Sequence, residues 1–414
     1  MAERQIGDII KQAEAKIRPR ISEVEATAEQ NQARVLEAFR QNHVSSFHLQ
    51  GTTGYGYDDS GRDVLEAVYA ELFGHATALV RPQLISGTHA IAAALFGLMR
   101  PGDELIYASG TPYDTLQTVL GLTGDEPGNF SSLGLKVKVI PLKSDGSMDL
   151  EAVKGAITKK TKVIAFQRSR GYEDRPSFPI QEIAEAVSIL RPYTSAYMFV
   201  DNCYGEFVET KEPGHAGADI CAGSLIKNPG GGLVRTGGYI TGSEEAVAQA
   251  ASRLAAPGIG SEGGATLNML QEMYQGLFLA PHVVQESLKG ALFTAALLEE
   301  VGFDTTPNWQ EARTDLIQAV HFHNRQAMIT FCQEVQRQSP VDANVTPEPS
   351  AMPGYEDEVI MAAGTFIQGA SIELTADGPL RPPYTAFVQG GLMYAHVKLA
   401  VIAAVEKLHQ ITKE

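Results

Sequence analysis

The reading turns on Tyr197-Met198-Phe199-Val200-Asp201-Asn202, followed by Ala218-Asp219-Ile220-Cys221-Ala222-Gly223-Ser224-Leu225-Ile226-Lys227-Asn228-Pro229-Gly230-Gly231-Gly232. Each part is a short apolar run ending in a polar residue. Neither run alternates, which is the pattern of strands covered on both faces in a parallel sheet. Similar runs occur upstream at Glu104 to Ala108, Val137 to Pro141 and Lys162 to Gln167, and downstream at Gly238 to Thr241. Helical stretches lie between them, at His89 to Met99, Leu150 to Ala156 and Ile180 to Leu190. Strand and helix in alternation predict an α/β fold with a mainly parallel sheet between helices. Ligands in such sheets sit beyond the carboxyl ends of the strands, where Asp201 and Lys227 fall.

Working outward, Ile6 to roughly Gln41 spaces its apolar residues as one or two amphipathic helices do, and these are expected outside the main core. A glycine-rich loop follows, Gln50-Gly51-Thr52-Thr53-Gly54-Tyr55-Gly56-Tyr57-Asp58-Asp59-Ser60-Gly61. From about Pro281 the pattern changes to long helices, broken by a Pro/Asn/Asp-rich stretch from Ser339 to Gly354 and closed by a helix from Gly391 to His409. The expected organisation is a helical arm over 1–50, a large ligand-binding domain over 51–280 and a smaller C-terminal α+β domain over 281–414. No internal repeat or low-complexity tract appears.

Composition limits the function classes. The 414 residues suffice for about two domains, and 44% hydrophobic with 20% charged residues is the balance of a globular protein. A formal net charge of −16 repels phosphate backbones and anionic lipid heads, so neither nucleic acid nor membrane is an expected partner. The 3 cysteines, Cys203, Cys221 and Cys332, are too few and scattered for a disulfide framework or a zinc site, and no metal is expected. No signal segment or apolar span of ~18 residues stands out, so a cytoplasmic location is expected.

An acid closing one strand, with a lysine just beyond the next in Ser224-x-x-Lys227, is what a pyridoxal phosphate site requires. The lysine carries the cofactor through its ε-amine, and the acid keeps the ring nitrogen protonated. These two residues alone equally allow a helix-capping Asp201 and a solvated Lys227. Ser86-Gly87-Thr88-His89 opens the helix from Ala90 to Met99, so backbone N–H groups there would face a phosphate, although an ordinary N-cap looks the same. Tyr113, in Ser109-Gly110-Thr111-Pro112-Tyr113-Asp114, follows a strand and could stack on a pyridine ring.

Ser86-Gly87-Thr88, Leu98-Met99-Arg100-Pro101-Gly102-Asp103-Glu104, Tyr113, Val200-Asp201-Asn202, Gly217-Ala218-Asp219 and Ser224-x-x-Lys227 together resemble the fold-type-I enzymes of cysteine and methionine metabolism, such as methionine γ-lyase. That likeness extends over about residues 50–245. Gln167-Arg168-Ser169-Arg170-Gly171-Tyr172, Gly54-Tyr55-Gly56-Tyr57-Asp58-Asp59 and Val200-Asp201-Asn202-Cys203-Tyr204-Gly205-Glu206-Phe207 are similar to a methionine γ-lyase-related branch labelled aluminium-resistance proteins, over most of the chain.

The resemblance implies pyridoxal 5′-phosphate bound covalently at Lys227, with Asp201 at its ring nitrogen and Gly87, Thr88 and Ser224 at its phosphate, beside Ser86. Tyr113 would stack on the ring and act near the leaving group. Tyr55, with Tyr57, would reach the phosphate of a neighbouring subunit, so a homodimer or homotetramer with shared sites is implied.

The chain departs from the family pattern at three places. Tyr57 stands where the family has an arginine, Ile226 where it has a hydroxyl residue, and Gly171 where it has an asparagine. Arg168 or Arg170 is expected to compensate. Arg381, in Asp377-Gly378-Pro379-Leu380-Arg381-Pro382-Pro383-Tyr384, is expected to grip the substrate carboxylate with its planar fork.

His321 and His323 are expected to be structural. The implied activity is carbon–sulfur elimination from a sulfur-containing or γ-substituted L-amino acid. An aminotransferase, or a cofactor-binding protein without turnover linked to metal resistance, are the alternatives.

Overall fold

The computed structural model describes residues 6–352, 355 and 357–411. A seven-stranded sheet runs in the order β1-β7-β6-β5-β4-β2-β3. Its strands are β1 (Thr77–Arg81), β2 (Glu104–Tyr107), β3 (Lys136–Val139), β4 (Thr161–Gln167), β5 (Tyr197–Asp201), β6 (Ile220–Ser224) and β7 (Gly238–Gly242). Only β7 is reversed, pairing antiparallel with both β1 and β6.

The period of two along β4 shows why these runs must be strands between helices. Val163 and Ala165 face one buried layer, with α3 (Gly87–Leu98) and α7 (Glu244–Leu254), while Ile164 and Phe166 face the other, with α2 (Ser60–Phe73) and α6 (Ile180–Leu190). Met198, Phe199 and Val200 of β5 are at most 1% exposed, and burying each is worth ~1.5–3 kcal/mol. The large sheet therefore has no wet face, which explains its unalternating runs.

A second sheet, antiparallel throughout, has the order β10-β11-β12-β9-β8. Its strands are β8 (Asp304–Thr306), β9 (Gln318–His321), β10 (Val359–Ala362), β11 (Thr375–Pro379) and β12 (Thr385–Gln389). Phe331 and Val335 of α9 (Arg325–Arg337) and Val397 and Val401 of α10 (Tyr394–Ile411) pack against it. His321 is structural, its ring nitrogens 2.8 Å from the Thr385 hydroxyl and 3.1 Å from that of Thr306.

Three differences from the sequence reading have physical causes. The N-terminal segment is one helix, α1 (Ile6–Gln41), and it is part of the core rather than outside it. Ala13 and Ile17 join the apolar cluster of the small sheet, and Val35 and Ala38 join that of the large sheet. The boundary expected at 280/281 falls inside α8 (Leu270–Glu300), which continues through Pro281 and packs along α1. Strand β1 escaped notice because it ends on Arg81, a residue that reads as surface. Here Arg81 is buried because its guanidinium bonds Glu66 at 2.6 Å and the carbonyls of Gly263 and Ser261 at 2.6 and 2.9 Å.

No described helix is long and apolar enough to cross a membrane. No described group of three or more His, Cys, Asp or Glu side chains could hold a metal ion.

Candidate active site

The carboxyl ends of β4, β5 and β6 open into a cavity of about 290 Å³. Asp201 closes β5, Ser224 closes β6, and Lys227 lies three residues further, so the strand ends deliver the acid, the hydroxyl and the amine to one place. Ser86, Gly87 and Thr88 line the same cavity from the first turn of α3, and Tyr113 lines it from the loop after β2.

The α3 end is built for close approach. Ser86 caps the helix, its hydroxyl accepting the His89 N–H at 3.0 Å, while other first-turn N–H groups have no carbonyl within the helix to bond. A Cβ on Gly87 would lie 3.1 Å from Cys203 Sγ and 3.2 Å from Ser224 Cβ, so only a glycine leaves this cradle unobstructed.

Lys227 Nζ sits 3.9 Å from the centre of the Tyr204 ring, a cation–π contact that aims the amine. Burial alone would favour its neutral form, yet Cys203, Tyr204, Asp201 and Tyr113 around it raise its proton affinity. Asp201 is 2% exposed, and burial pushes its carboxyl up, opposed by Lys227 and by the Cys203 N–H that its Oδ1 accepts at 3.1 Å. A carboxyl in this state ionises against a nearby cation, and a protonated ring nitrogen is such a cation.

Tyr113 is positioned by two neighbours. Its hydroxyl lies 3.0 Å from Thr88 Oγ1, and its N–H donates to Gln167 Oε1 at 3.1 Å. Gln167 also donates from Nε2 to the Ser169 carbonyl at 3.0 Å, so the last side chain of β4 braces the tyrosine loop. Gly171 has φ +60°, a backbone that favours glycine over a branched or long side chain.

Five residues expected at the site stand elsewhere. Arg381 lines a neighbouring pocket of about 190 Å³, half-exposed, with Nη1 3.4 Å from Asp357. The tight Pro379–Tyr384 turn, closed by the Tyr384 N–H on the Arg381 carbonyl at 2.7 Å, directs it there. Arg170 is buried but donates from Nη1 to the Thr306 carbonyl at 2.9 Å, so it ties the two sheets together instead of lining the cavity. Arg168 is likewise spent on structure, bonding Asn202, the Gly205 carbonyl and Glu209. Tyr55 and Tyr57 are 76% and 53% exposed and stack on each other at 5.4 Å, away from this chain's own cavity. Their loop is anchored by Asp59, which accepts the Thr52 hydroxyl and, at 2.6 Å, the Thr266 hydroxyl.

Sequence reasoning missed Asp114, Tyr172, Tyr204, Tyr355 and Gln389, which also line the cavity. Behind that lining lies Asp377 on β11, 5% exposed, whose carboxyl is pushed up to about 7 by burial against hydrogen bonds from Tyr172 and Gln389. Only the pairing of β11 with β12 brings Asp377 and Gln389 together, at 2.8 Å.

A large, mostly parallel sheet with a lysine and an acid at its strand ends, joined to a small antiparallel sheet, defines the fold-type-I pyridoxal phosphate enzymes. The PLP-dependent protein YhfS of Escherichia coli shares this fold with a TM-score of 0.62 at 18% identity. The chain belongs to the methionine gamma-lyase family, whose sequence profile matches residues 6–409.

Among its relatives is the uncharacterized protein YnbB of Bacillus subtilis, 55% identical over 98% of this chain and 97% of that one. A Listeria monocytogenes structure, of a protein proposed to be a cystathionine beta-lyase involved in aluminium resistance, is 54% identical with a TM-score of 0.95, covering 97% of this chain and 100% of that one. L-methionine gamma-lyase of Pseudomonas putida is 30% identical over 50% of this chain and 46% of its own length. The family implies pyridoxal phosphate, and the lysine, the buried acid and the cradle at Gly87 fit that group.

Proposed function

We propose that this chain is a pyridoxal 5′-phosphate-dependent carbon–sulfur lyase that acts on a sulfur-containing or γ-substituted L-amino acid. The reading is carried by the convergence of Lys227, Asp201 and the first turn of α3 on one cavity. The cofactor, when bound, supplies an electron sink for charge left at the substrate α-carbon.

Lys227 would hold the cofactor through Nζ and, once released by an incoming amine, remove the α-proton. Its contact with the Tyr204 face would orient Nζ. Asp201 would hold a proton on the ring nitrogen. Gly87 and Thr88 N–H groups with the Ser224 hydroxyl would bind the phosphate, which suits the positive end of α3. Tyr113, braced by Thr88 and Gln167, would cover the ring and pass a proton to the departing sulfur. Expulsion of a thiol, followed by hydrolysis with one water, would yield a 2-oxo acid and ammonia.

Tyr55 and Tyr57 would serve the phosphate of a second copy, since their exposed stacked rings belong to no contact in their own cavity.

Borohydride reduction of the holoenzyme should fix a pyridoxyl group on the peptide carrying Lys227, and Lys227→Ala should lose that adduct. Incubation with L-methionine, L-cystathionine and L-cysteine should release thiol and 2-oxo acid. An adduct on another peptide refutes the site, and silence from all three substrates refutes the lyase.

A further inference from the structure

Lys227 lines the cavity with no counterion against its amine. Among the described residues no carboxylate lies within ion-pairing distance of Nζ, and no group accepts a hydrogen bond from it. Cys203, Tyr113 and Tyr204 face it, but burial pushes each of them above its ordinary range, so they keep their protons and bring no full negative charge. Asp201 and Glu206 are the acids whose charge reaches Nζ, and burial pushes both up, Glu206 to about 8. The close partner is the Tyr204 ring, its centre 3.9 Å from Nζ. An aromatic face holds a cation best where water is kept out.

That ring reaches Nζ from a strained backbone. Tyr204 has φ +70°, in the left-handed region that bulky residues avoid. Such a conformation persists only where the surroundings impose it. Before Tyr204, the Asn202 N–H donates to the Ala222 carbonyl at 3.0 Å, its Nδ2 donates to Glu212 at 2.9 Å, and the Cys203 N–H is held by Asp201. After it, Arg168 Nη1 donates to the Gly205 carbonyl at 2.8 Å and to Asn202 Oδ1 at 2.9 Å, and the Phe207 N–H donates to Glu212 Oε1 at 2.9 Å. A Cβ on Gly205 would fall 2.5 Å from Arg168 Nη1, so the arginine fills the space behind the turn. Arg168 and Glu212 do not line the cavity, yet they fix the turn whose strained member meets Lys227.

We infer that the Tyr204 ring is the seat of the ammonium form of Lys227, the face on which Nζ keeps a proton between taking it from a substrate carbon and giving it up. The inference rests on the proposed reaction and adds a residue to it. In the transfer the α C–H bond breaks, its proton joins the Nζ lone pair as a new N–H bond, and the electron pair stays on the substrate side. The reverse changes follow when Nζ gives the proton up. The ring face stabilises the charged form of the amine over the neutral one, and the phenol hydroxyl takes no part.

Two measurements test this in the full chain. In the first, cofactor is removed, Lys227 is labelled with acetic anhydride across a pH series, and mass spectrometry of its peptide gives the pH at which Nζ is half neutral. Where Nζ stays charged throughout, labelling rates at one pH give the same comparison. Tyr204→Leu, which still fills the space and excludes water, should lower the midpoint by about one pH unit, a tenfold loss of proton affinity. Tyr204→Phe keeps the face and should stay within about 0.3 of wild type. Tyr204→Met is a second ring-free variant that serves if Leu does not fold. Asp201 and Glu206 are present in every variant and cancel in the comparison. In the second, exchange of the α-hydrogen of L-alanine with deuterated solvent is followed by NMR on the holoenzyme. Nζ goes from amine to ammonium in that step, so exchange should slow about tenfold in Leu and Met and little in Phe. A wild-type midpoint in the ring-free variants, a Phe shift as large as theirs, or equal exchange in all of them overturns the inference. L-Alanine has no leaving group, so these results stand apart from thiol release. Shifted midpoints and slowed exchange with no thiol from any substrate count against the lyase alone, and thiol release with unshifted midpoints counts against this inference alone.

Discussion

Asp377 is the residue where a single substitution should change how stability depends on pH. Its carboxyl titrates near 3.8 when free and is pushed up to about 7 in the folded chain, chiefly by burial. Below 3.8 both states hold the proton, between the two values only the folded state does, and above 7 neither does. The stability that protonated Asp377 contributes is therefore complete in acid and is lost as pH rises through the folded value. A shift of roughly three units at ~1.36 kcal/mol each is about 4 kcal/mol in all. About half of this, ~2 kcal/mol, remains to be lost between pH 5.5 and pH 8.

Asp377→Asn removes that titration while keeping a side chain of the same size. Urea unfolding of wild type and variant at pH 5.5, 6.5, 7.5 and 8 would give the difference in stability at each pH. Wild type should lose ground to the variant from pH 5.5 to about 7 and level off by pH 8. Other groups raised by burial, Glu206 at about 8 among them, titrate in both proteins and cancel in the difference. A difference flat within ~0.5 kcal/mol across the four conditions would show that Asp377 is not held protonated by burial, and the argument from its surroundings would fail.

Asp59→Ala removes the cap on the Arg62 N–H (3.0 Å) and the anchor of the glycine-rich loop, and should lower stability in denaturant titration by ~1–2 kcal/mol; no change would mean the loop is held by other contacts. Arg168→Ala strands the fully buried Glu212, whose carboxyl burial raises and Arg168 lowers, and should cost ~3–5 kcal/mol by the same measurement. A loss under ~1 kcal/mol would show that Glu212 is neutral or finds water. Tyr113→Phe removes only the hydroxyl 3.0 Å from Thr88, so the variant should fold and still take a pyridoxyl label at Lys227 while turnover falls at least tenfold. Unchanged kcat would remove Tyr113 from proton transfer.

The legible part of the site and the illegible part differ in how the chain makes them. Asp201, Ser224 and Lys227 stand at or just past the ends of unalternating apolar runs, and a parallel sheet buried on both faces forces such residues to its carboxyl edge. Ser86 and Gly87 open a helix, which is again a local pattern. The large sheet and its ligand edge could thus be read from single segments. The strand that was missed, β1, ends on a charged residue whose burial depends on Glu66, 15 positions away.

The rest of the cavity lining has no such local signature. Tyr172, Tyr204, Tyr355 and Gln389 come from four segments, and Asp377, which holds Tyr172 and Gln389, does not itself line the cavity. Arg381 shows the converse error, because a guanidinium two residues past a strand end looks like a carboxylate clamp until the proline turn sends it to Asp357. On the proposed reading, the cofactor-binding residues belong to one sheet, whereas the rest of the cavity lining is drawn from the junction of two. A lysine and an acid at strand ends can persist while the facing residues change, so likeness around Lys227 and Asp201 extends to the cofactor and not to the far end of the substrate.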